Sequence, residues 1–353
     1  MRERVMRHEK IPVDPPVTLD DVALAAGVST ATVSRVINNF PRVADTTRRS
    51  VLDAIERLHY TPNFAGRMLA TQRAHTLGLI ITDITNPFYP AVVRGVEAAA
   101  LHHGFSVLLY DTAENQKREA QALQLLRERQ VDGLVICSSR LGISRLEQLA
   151  HGKTPIVFIN SQPALSTVGS VETDHELGMR AAVEHLLHLG HRRIAYLGGP
   201  PTSQVQKRRL KAYRDVARDH GVQTLEGSQQ PTVEGGEAGT RELLGEHDPD
   251  GRFTALVTYN DLMATGALLA ARAGELRVPE DLSVIGHDDI PMAALLSPAL
   301  TTVRQPMQEL GSRAVAMLVG HLQSSTTANP TILSLHPQLM VRASTSPPPV
   351  AHP

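Results

Sequence analysis

The sequence predicts a two-part chain: a small all-α module near the N-terminus, followed by a larger α/β domain built on parallel sheets. Three observations lead there. Residues 17–38, VTLDDVALAAGVSTATVSRVIN, hold the capping and turn signals of two short helices. From Thr76 onward, short apolar runs alternate with amphipathic stretches, the pattern of strand–helix–strand units with both sheet faces covered. The alternation restarts near Arg193, so the domain reads as two lobes of similar design. With 353 residues, 42% of them hydrophobic, the chain is long enough to bury cores in both parts.

In the first part, Thr18 is placed to cap a helix and Asp21 stands at the capping-box position. Val22, Ala25 and Ala26 form its apolar stripe, and Gly27 supplies a bend with positive φ. Ser29 caps the second helix, whose Val33, Val36 and Ile37 face inward and leave Thr30, Ala31, Ser34 and Arg35 outward. An ordinary helical hairpin has the same spacing. The sharper reading is a helix-turn-helix, in which the first residues of the second helix meet base edges. A third helix, TTRRSVLDAIERLHY, is expected to be capped by Asp45 or Thr46 and to bury Val51, Leu52, Ile55 and Leu58. Between residues 17 and 74, seven arginines stand against five acids. Arg42, Arg48 and Arg49 flank the second helix, where phosphates would lie.

The strands read in the second part are LGLIIT, FSVLLY, GLVIC, PIVFIN, RIAYLG, ALVTY and LSVIG. In open parallel sheets a ligand sits beyond the carboxyl ends of the strands, so those loops supply the candidates. Asp83, Asn86, Phe88 and Tyr89 follow the first strand and Asp111 the second. Asn86 suits either a helix cap or a ligand contact. Phe88 and Tyr89 suit either a cleft wall or packing within their lobe. After ALVTY, Asp261 is expected to cap the next helix while Asn260 faces the cleft. Cys137 falls in an apolar run and reads as a buried strand thiol. His185 and His188 share a helix face near His191, but with sixteen histidines in the chain a metal site is a weak reading. There is no phosphate-binding loop, dinucleotide fingerprint or nucleophile elbow, so no enzyme, cofactor or metal is expected. The N-terminus shows no signal-peptide core and no 18-residue apolar run occurs, so a cytoplasmic protein is expected.

The motif DVALAAGVSTATVSRVIN, a third helix ending in Leu-His-Tyr-Thr-Pro-Asn, and Leu69 seven residues after Pro62 resemble the lactose-repressor (LacI/GalR) family of bacterial transcription regulators. Later motifs extend the resemblance over roughly residues 17–344. Residues 1–16, like the Pro-rich end, read as a disordered tail by composition, and the resemblance implies a DNA-binding domain over 17–62 and a hinge helix with linker over 63–74. An effector-binding and dimerisation domain of the periplasmic-binding-protein-like fold then spans 75–344. Its N-lobe is expected to cover about 75–172 and 305–330, its C-lobe about 173–304 and 331–344, with a disordered tail over 345–353. The DNA contacts it implies are Thr18, Ser29, Thr30, Ala31, Thr32, Ser34, Arg35, Asn38, Arg42 and Tyr60, then Asn63, Gly66, Arg67 and Leu69 of the hinge. Two hinges would enter the minor groove, where Leu69 wedges a base step. Gly66 departs from the more usual Ala and weakens that helix by roughly 1 kcal/mol.

In the effector domain the resemblance places Arg209 and Asp288 on the ligand, Arg209 through its planar fork. Ser203 lies in the polar loop before Arg209, and Glu234 falls near the position where relatives stack an aromatic ring. His287 stands where Tyr is more common, and the chain has no Trp. The implied function is a sequence-specific regulator, in the main a repressor, whose affinity for a pseudo-palindromic operator is set by a small polar effector, a sugar or related metabolite, with a polyol, sugar acid, amino sugar and nucleoside-type ligand all open. The expected assembly is a homodimer held through the helices near 88–102 and 116–130, because the ending STSPPPVAHP cannot form a tetramerising heptad helix. A constitutive DNA-binding protein with a non-functional cleft, and a solute-binding protein, are the alternatives.

Overall fold

A computed structural model describes residues 17–37, 40–60, 74–150, 154–161, 169–245, 253–323 and 331–349. The chain divides into two units, residues 1–73 and 74–353.

In the first unit, helices α1 (Leu19–Ala26), α2 (Thr30–Ile37) and α3 (Asp45–Arg57) enclose a core of Val22, Ala23, Val33, Val36, Val51, Ala54 and Tyr60. The capping box at Thr18 forms in both directions, and Gly27 closes α1 at φ 67°. Ser29 Oγ accepts from the Thr32 N–H at 3.3 Å. Three details depart from expectation. Ala23 rather than Ala25 is buried in α1. The α3 cap falls on Ala44, with no side-chain bond, because the helix begins at Asp45 and places that carboxylate inside its first turn. Leu52 is half exposed while Ala54 is buried. The inward face runs Val51, Ala54, Ile55, Leu58, and Leu52 lies one step off it.

The second unit holds two six-stranded sheets. The first lobe contains β1 (Thr76–Ile81), α4 (Phe88–His102), β2 (Ser106–Asp111), α5 (Gln116–Glu128), β3 (Gly133–Cys137), α6 (Ile143–Ala150), β4 (Ile156–Ile159) and β5 (Gly169–Thr173). The second contains α7 (His175–Leu189), β6 (Arg193–Gly198), α8 (Gln204–Asp219), β7 (Gln223–Ser228), α9 (Val233–Gly245), β8 (Ala255–Thr258), α10 (Asp261–Ala273), β9 (Ser283–Asp288) and β10 (Thr301–Arg304). Helix α11 (Met307–Gln323) and β11 (Ile332–Leu335) return to the first lobe, and β12 (Gln338–Met340) ends in the second. The strand orders are β11-β5-β4-β3-β1-β2 and β12-β10-β9-β8-β6-β7. All pairings are parallel except β10 with β12. Central strands β1, β3 and β4 are buried along their whole length, as helices on both faces require. Cys137 is buried in β3, and burial pushes its thiol up to about 12.

The chain therefore crosses between lobes after β5, after β10 and between β11 and β12. The third crossing corrects the expected boundary. Residues 331–344 do not all belong to the second lobe, because β11 pairs with β5 and its Leu333 and Leu335 pack on the first core. The expected tail over 345–353 is corrected for residues 345–349. Ser346 O accepts from His191 Nε2 (2.9 Å) and from Ser283 Oγ (3.1 Å), and Thr345 Oγ1 meets His185 Nε2 at 3.0 Å. The Ser346 carbonyl and the Thr345 hydroxyl supply bonds that a proline-rich segment cannot make through its own backbone N–H groups. Among the described residues, no helix is long and apolar enough to cross a membrane.

In the first lobe, α4 and α11 meet backbone to backbone at Gly95 and Gly311. A Cβ on Gly95 would fall inside the radius of the Gln308 carbonyl oxygen. Gly95→Ala is therefore expected to lower unfolding stability by about 1–3 kcal/mol. A urea midpoint lowered at unchanged m-value is the expected result, and a midpoint equal to wild type would refute the close approach.

Candidate functional site

The headpiece presents its second helix as an open face. Ala31, Arg35 and Arg42 are exposed, and Thr30, Thr32 and Ser34 are half-buried. Arg48 Nη2 donates to Phe40 O (2.8 Å) and ties down the loop behind that helix. Thr18 is held in its capping box, and Ser29 Oγ lies 3.0 Å from Thr32 Oγ1. Tyr60, expected on DNA, is corrected to the headpiece core, where it is 8% exposed. Packing against Val51 and its neighbours claims that ring first. Asn38, Asn63, Gly66, Arg67 and Leu69 lie outside the described residues.

Between the lobes lies a narrow cleft of about 30 Å³, lined by both of them. The first lobe brings Asn86, Phe88 and Tyr89 to it, and the second brings Arg209, Asn260 and Asp288. Asn86 Oδ1 accepts from the Phe88 N–H (3.0 Å), so it serves the helix start and the cleft together. Asn260, not Asp261, caps α10, accepting from the Met263 N–H at 2.9 Å. Asp261 is buried behind it, accepting from the Ile290 N–H (2.9 Å) and from Thr302 Oγ1 (2.5 Å). The expected cap moves from Asp261 to Asn260, which lines the cleft as expected, because the turn into α10 comes one residue early. Asp288 has φ 115°, a strained conformation for a non-glycine residue, and its Oδ1 accepts from Gln305 Nε2 (2.6 Å).

Arg209 is 2% exposed. Its Nη1 donates to Tyr259 O, its Nη2 approaches His175 Nδ1 at 3.4 Å, and its guanidinium lies 5.1 Å from the centre of the Tyr259 ring. No ion pair forms on Arg209 among the described residues. Burial raises the Asp288 and Asp261 carboxyls above the ordinary range, and Arg209 pulls Asp288 back in part. Burial, reinforced by Arg209, holds His175 and His287 well below the usual imidazole value.

Four expected contacts lie elsewhere. Asp83 braces its own turn, accepting from the Thr85 N–H (2.9 Å) and hydroxyl (2.6 Å). Asp111 accepts from the Ile84 and Ala113 N–H groups. Ser203 caps α8 and contacts the Tyr259 hydroxyl (3.1 Å), supporting that ring from behind. Glu234 is exposed on the first turn of α9. Short polar side chains after a strand are used first for the turn they sit in.

The sequence reading missed Ser138, Asn160, His175, Val205, Tyr259 and Gln305, which complete the lining. Ser138 and Asn160 follow β3 and β4 directly, each at φ 53°. Position after a strand was the available signal, but no motif singled them out. Ser138 rests on a buried charged knot. Arg140 donates through Nε and Nη2 to Glu114 and through Nη1 to Ser138 O (2.8 Å), and its backbone N–H reaches Glu119 Oε2 (3.0 Å). Ser139 Oγ donates to the other oxygen of Glu119.

Residues 18–63 match the model described as bacterial regulatory proteins, lacI family, and residues 183–345 that of a periplasmic binding protein-like domain. The HTH-type transcriptional regulator DegA of Bacillus subtilis (strain 168) is 35% identical, over 94% of this chain and 98% of its own. The chain belongs to the lacI family. The ribose operon repressor of Escherichia coli (strain K12) is 36% identical over 93% of this chain and 99% of its own. A crystal structure of the lac repressor dimer bound to operator and the anti-inducer ONPF matches with a TM-score of 0.86 at 30% identity, covering 94% of this chain and all of that one. The expected family and fold class stand, and the protein is a lacI-family DNA-binding transcription regulator.

Proposed function

We propose that the cleft binds a small polar effector that sets operator affinity. The observation that supports this reading is the convergence of Arg209, Asp288, Asn260 and Asn160 on one cavity between the lobes. A ligand held by both lobes favours one closure of the cleft, and differential affinity for that closure biases the DNA-competent state. The regulator acts as a homodimer on a pseudo-palindromic operator in the cytoplasm, joined through the first lobe around α4 and α5. Leu69 of each hinge wedges the central base step. No catalytic step is assigned, in keeping with relatives that are transcription regulators.

Base reading is assigned to Thr30, Ala31 and Arg35. Arg35 is exposed near the end of α2, and a bidentate Arg–guanine pair supplies roughly 1–3 kcal/mol of discrimination. Arg35→Ala is expected to weaken binding to an operator obtained by in vitro selection far more than binding to random duplex. Equal losses on both DNAs would refute base reading by Arg35. Calorimetry against a panel of sugars and related metabolites tests the effector, and a chain that binds none of them while holding its operator is a constitutive regulator.

A further inference from the structure

His175 opens α7 directly after the first crossing between lobes, is 2% exposed and lines the cleft. Its Nδ1 lies 3.4 Å from Arg209 Nη2. A guanidinium only donates hydrogen bonds, so Nδ1 holds a lone pair. The ring is neutral, because burial and the nearby charges of Arg209 and Arg208 oppose a second proton. Its one proton therefore sits on Nε2, and Nε2 has no partner among the described residues. A residue lining the cleft thus carries a buried donor with no acceptor, a costly arrangement that a ligand oxygen would relieve.

The unpartnered groups beside it have mixed character. Arg209 Nε is a second open donor, whereas Gln305 Oε1 is an open acceptor. A hydroxyl answers both kinds, accepting from one neighbour and donating to another. A carboxylate would gain the Arg209 cation, but it answers only the donors, leaves Gln305 Oε1 open and meets the Asp288 carboxyl in the same cavity.

Resting on the effector reading above, the geometry points to His175 as a specificity-determining contact that donates its Nε2–H to a ligand oxygen, and to a neutral polyhydroxylated ligand over a sugar acid. Sequence spacing did not single His175 out, since it reads as an ordinary first-turn helix residue.

The test uses the full chain and the probes D-ribose, D-xylose, D-glucose and D-galactose, each paired with its aldonate. Calorimetry is expected to find at least one neutral sugar that binds, with its aldonate at least tenfold weaker. His175→Phe, which keeps a flat ring and loses the donor, is expected to weaken that sugar about tenfold to a hundredfold. His175→Gln, which restores a donor, is expected to recover most of the loss. Nitrogen NMR of 15N-histidine-labelled, ligand-free protein reads the tautomer whether or not the variants fold. A bare Nδ1 and a protonated Nε2 are expected for His175, and the opposite tautomer overturns the assignment. A sugar that binds wild type and His175→Phe equally, or an aldonate preferred to its sugar, overturns this inference alone. A wild-type chain that binds none of the eight probes overturns it together with the sugar reading of the effector.

Discussion

Arg140→Ala is expected to cost the effector domain about 3–5 kcal/mol of stability, the penalty for removing one member of a buried, hydrogen-bonded charge cluster. The guanidinium of Arg140 is 3% exposed and its ion-pair partner Glu114 19%, so truncation leaves the Glu114 carboxylate largely cut off from water and removes a cation beside Glu119, which is 1% exposed. The deficit has a predictable pH dependence. Burial already raises the Glu119 carboxyl above its ordinary value, against the lowering effects of Ser139 and Arg140. Without Arg140 it rises further. A carboxyl raised in the folded state favours folding while protonated in both states and opposes it as pH climbs from the unfolded toward the folded value. The difference from wild type should therefore be smaller at pH 5 than at pH 8. Urea unfolding at the two pH values checks this, and a loss below about 1 kcal/mol, typical of an exposed pair, would show that the cluster is solvated.

Arg209→Ala is expected to abolish the response to effector at concentrations that saturate wild type. The side chain ties α8 to the Tyr259 carbonyl, packs on the Tyr259 ring and approaches His175, so one truncation removes the cation and loosens two other lining residues. Loss of a charge-assisted ligand contact alone corresponds to roughly tenfold to a hundredfold in affinity. Operator affinity without effector should change only a few-fold, because the DNA-reading helix lies in the other folded unit. Titrating effector into operator-bound wild type and variant, followed by fluorescence anisotropy, checks this. A variant that releases operator at the wild-type concentration would remove Arg209 from the effector site.

Local chemistry makes much of this protein legible in its sequence alone. Thr18, Asp21 and Gly27 specify the first helix and its end through bonds spanning a few residues. The alternation after Thr76 specifies parallel strands because buried strands read as apolar runs. Arg209 and Asp288 came from the family resemblance, and the fold brings both to one cavity. The errors share a cause. Asp83, Asp111 and Ser203 have the residue types of a binding loop, yet their oxygens are used by adjacent backbone N–H groups. Leu52 and Tyr60 depart from the sequence pattern because a one-residue shift on a helix, or a small displacement at a helix end, decides between core and surface.

By itself the sequence determined the order of parts, the helix boundaries set by caps, the doubled α/β pattern and the family. Those properties depend on neighbours within a turn or a strand, or on motifs spread along the chain. Only the tertiary structure decided that β11 returns to the first sheet, that residues 345–349 pack on the second lobe, and that Ser138, Asn160, His175 and Gln305 share a cavity with Arg209. Each outcome depends on which of several compatible surfaces a segment finds. His175 and Arg209 stand 34 residues apart, and Asp288 and Gln305 stand 17 apart. No local pattern encodes those meetings. They follow from closing two sheets on their cores and running the chain three times between them, which leaves the carboxyl ends of both sets of strands facing one space.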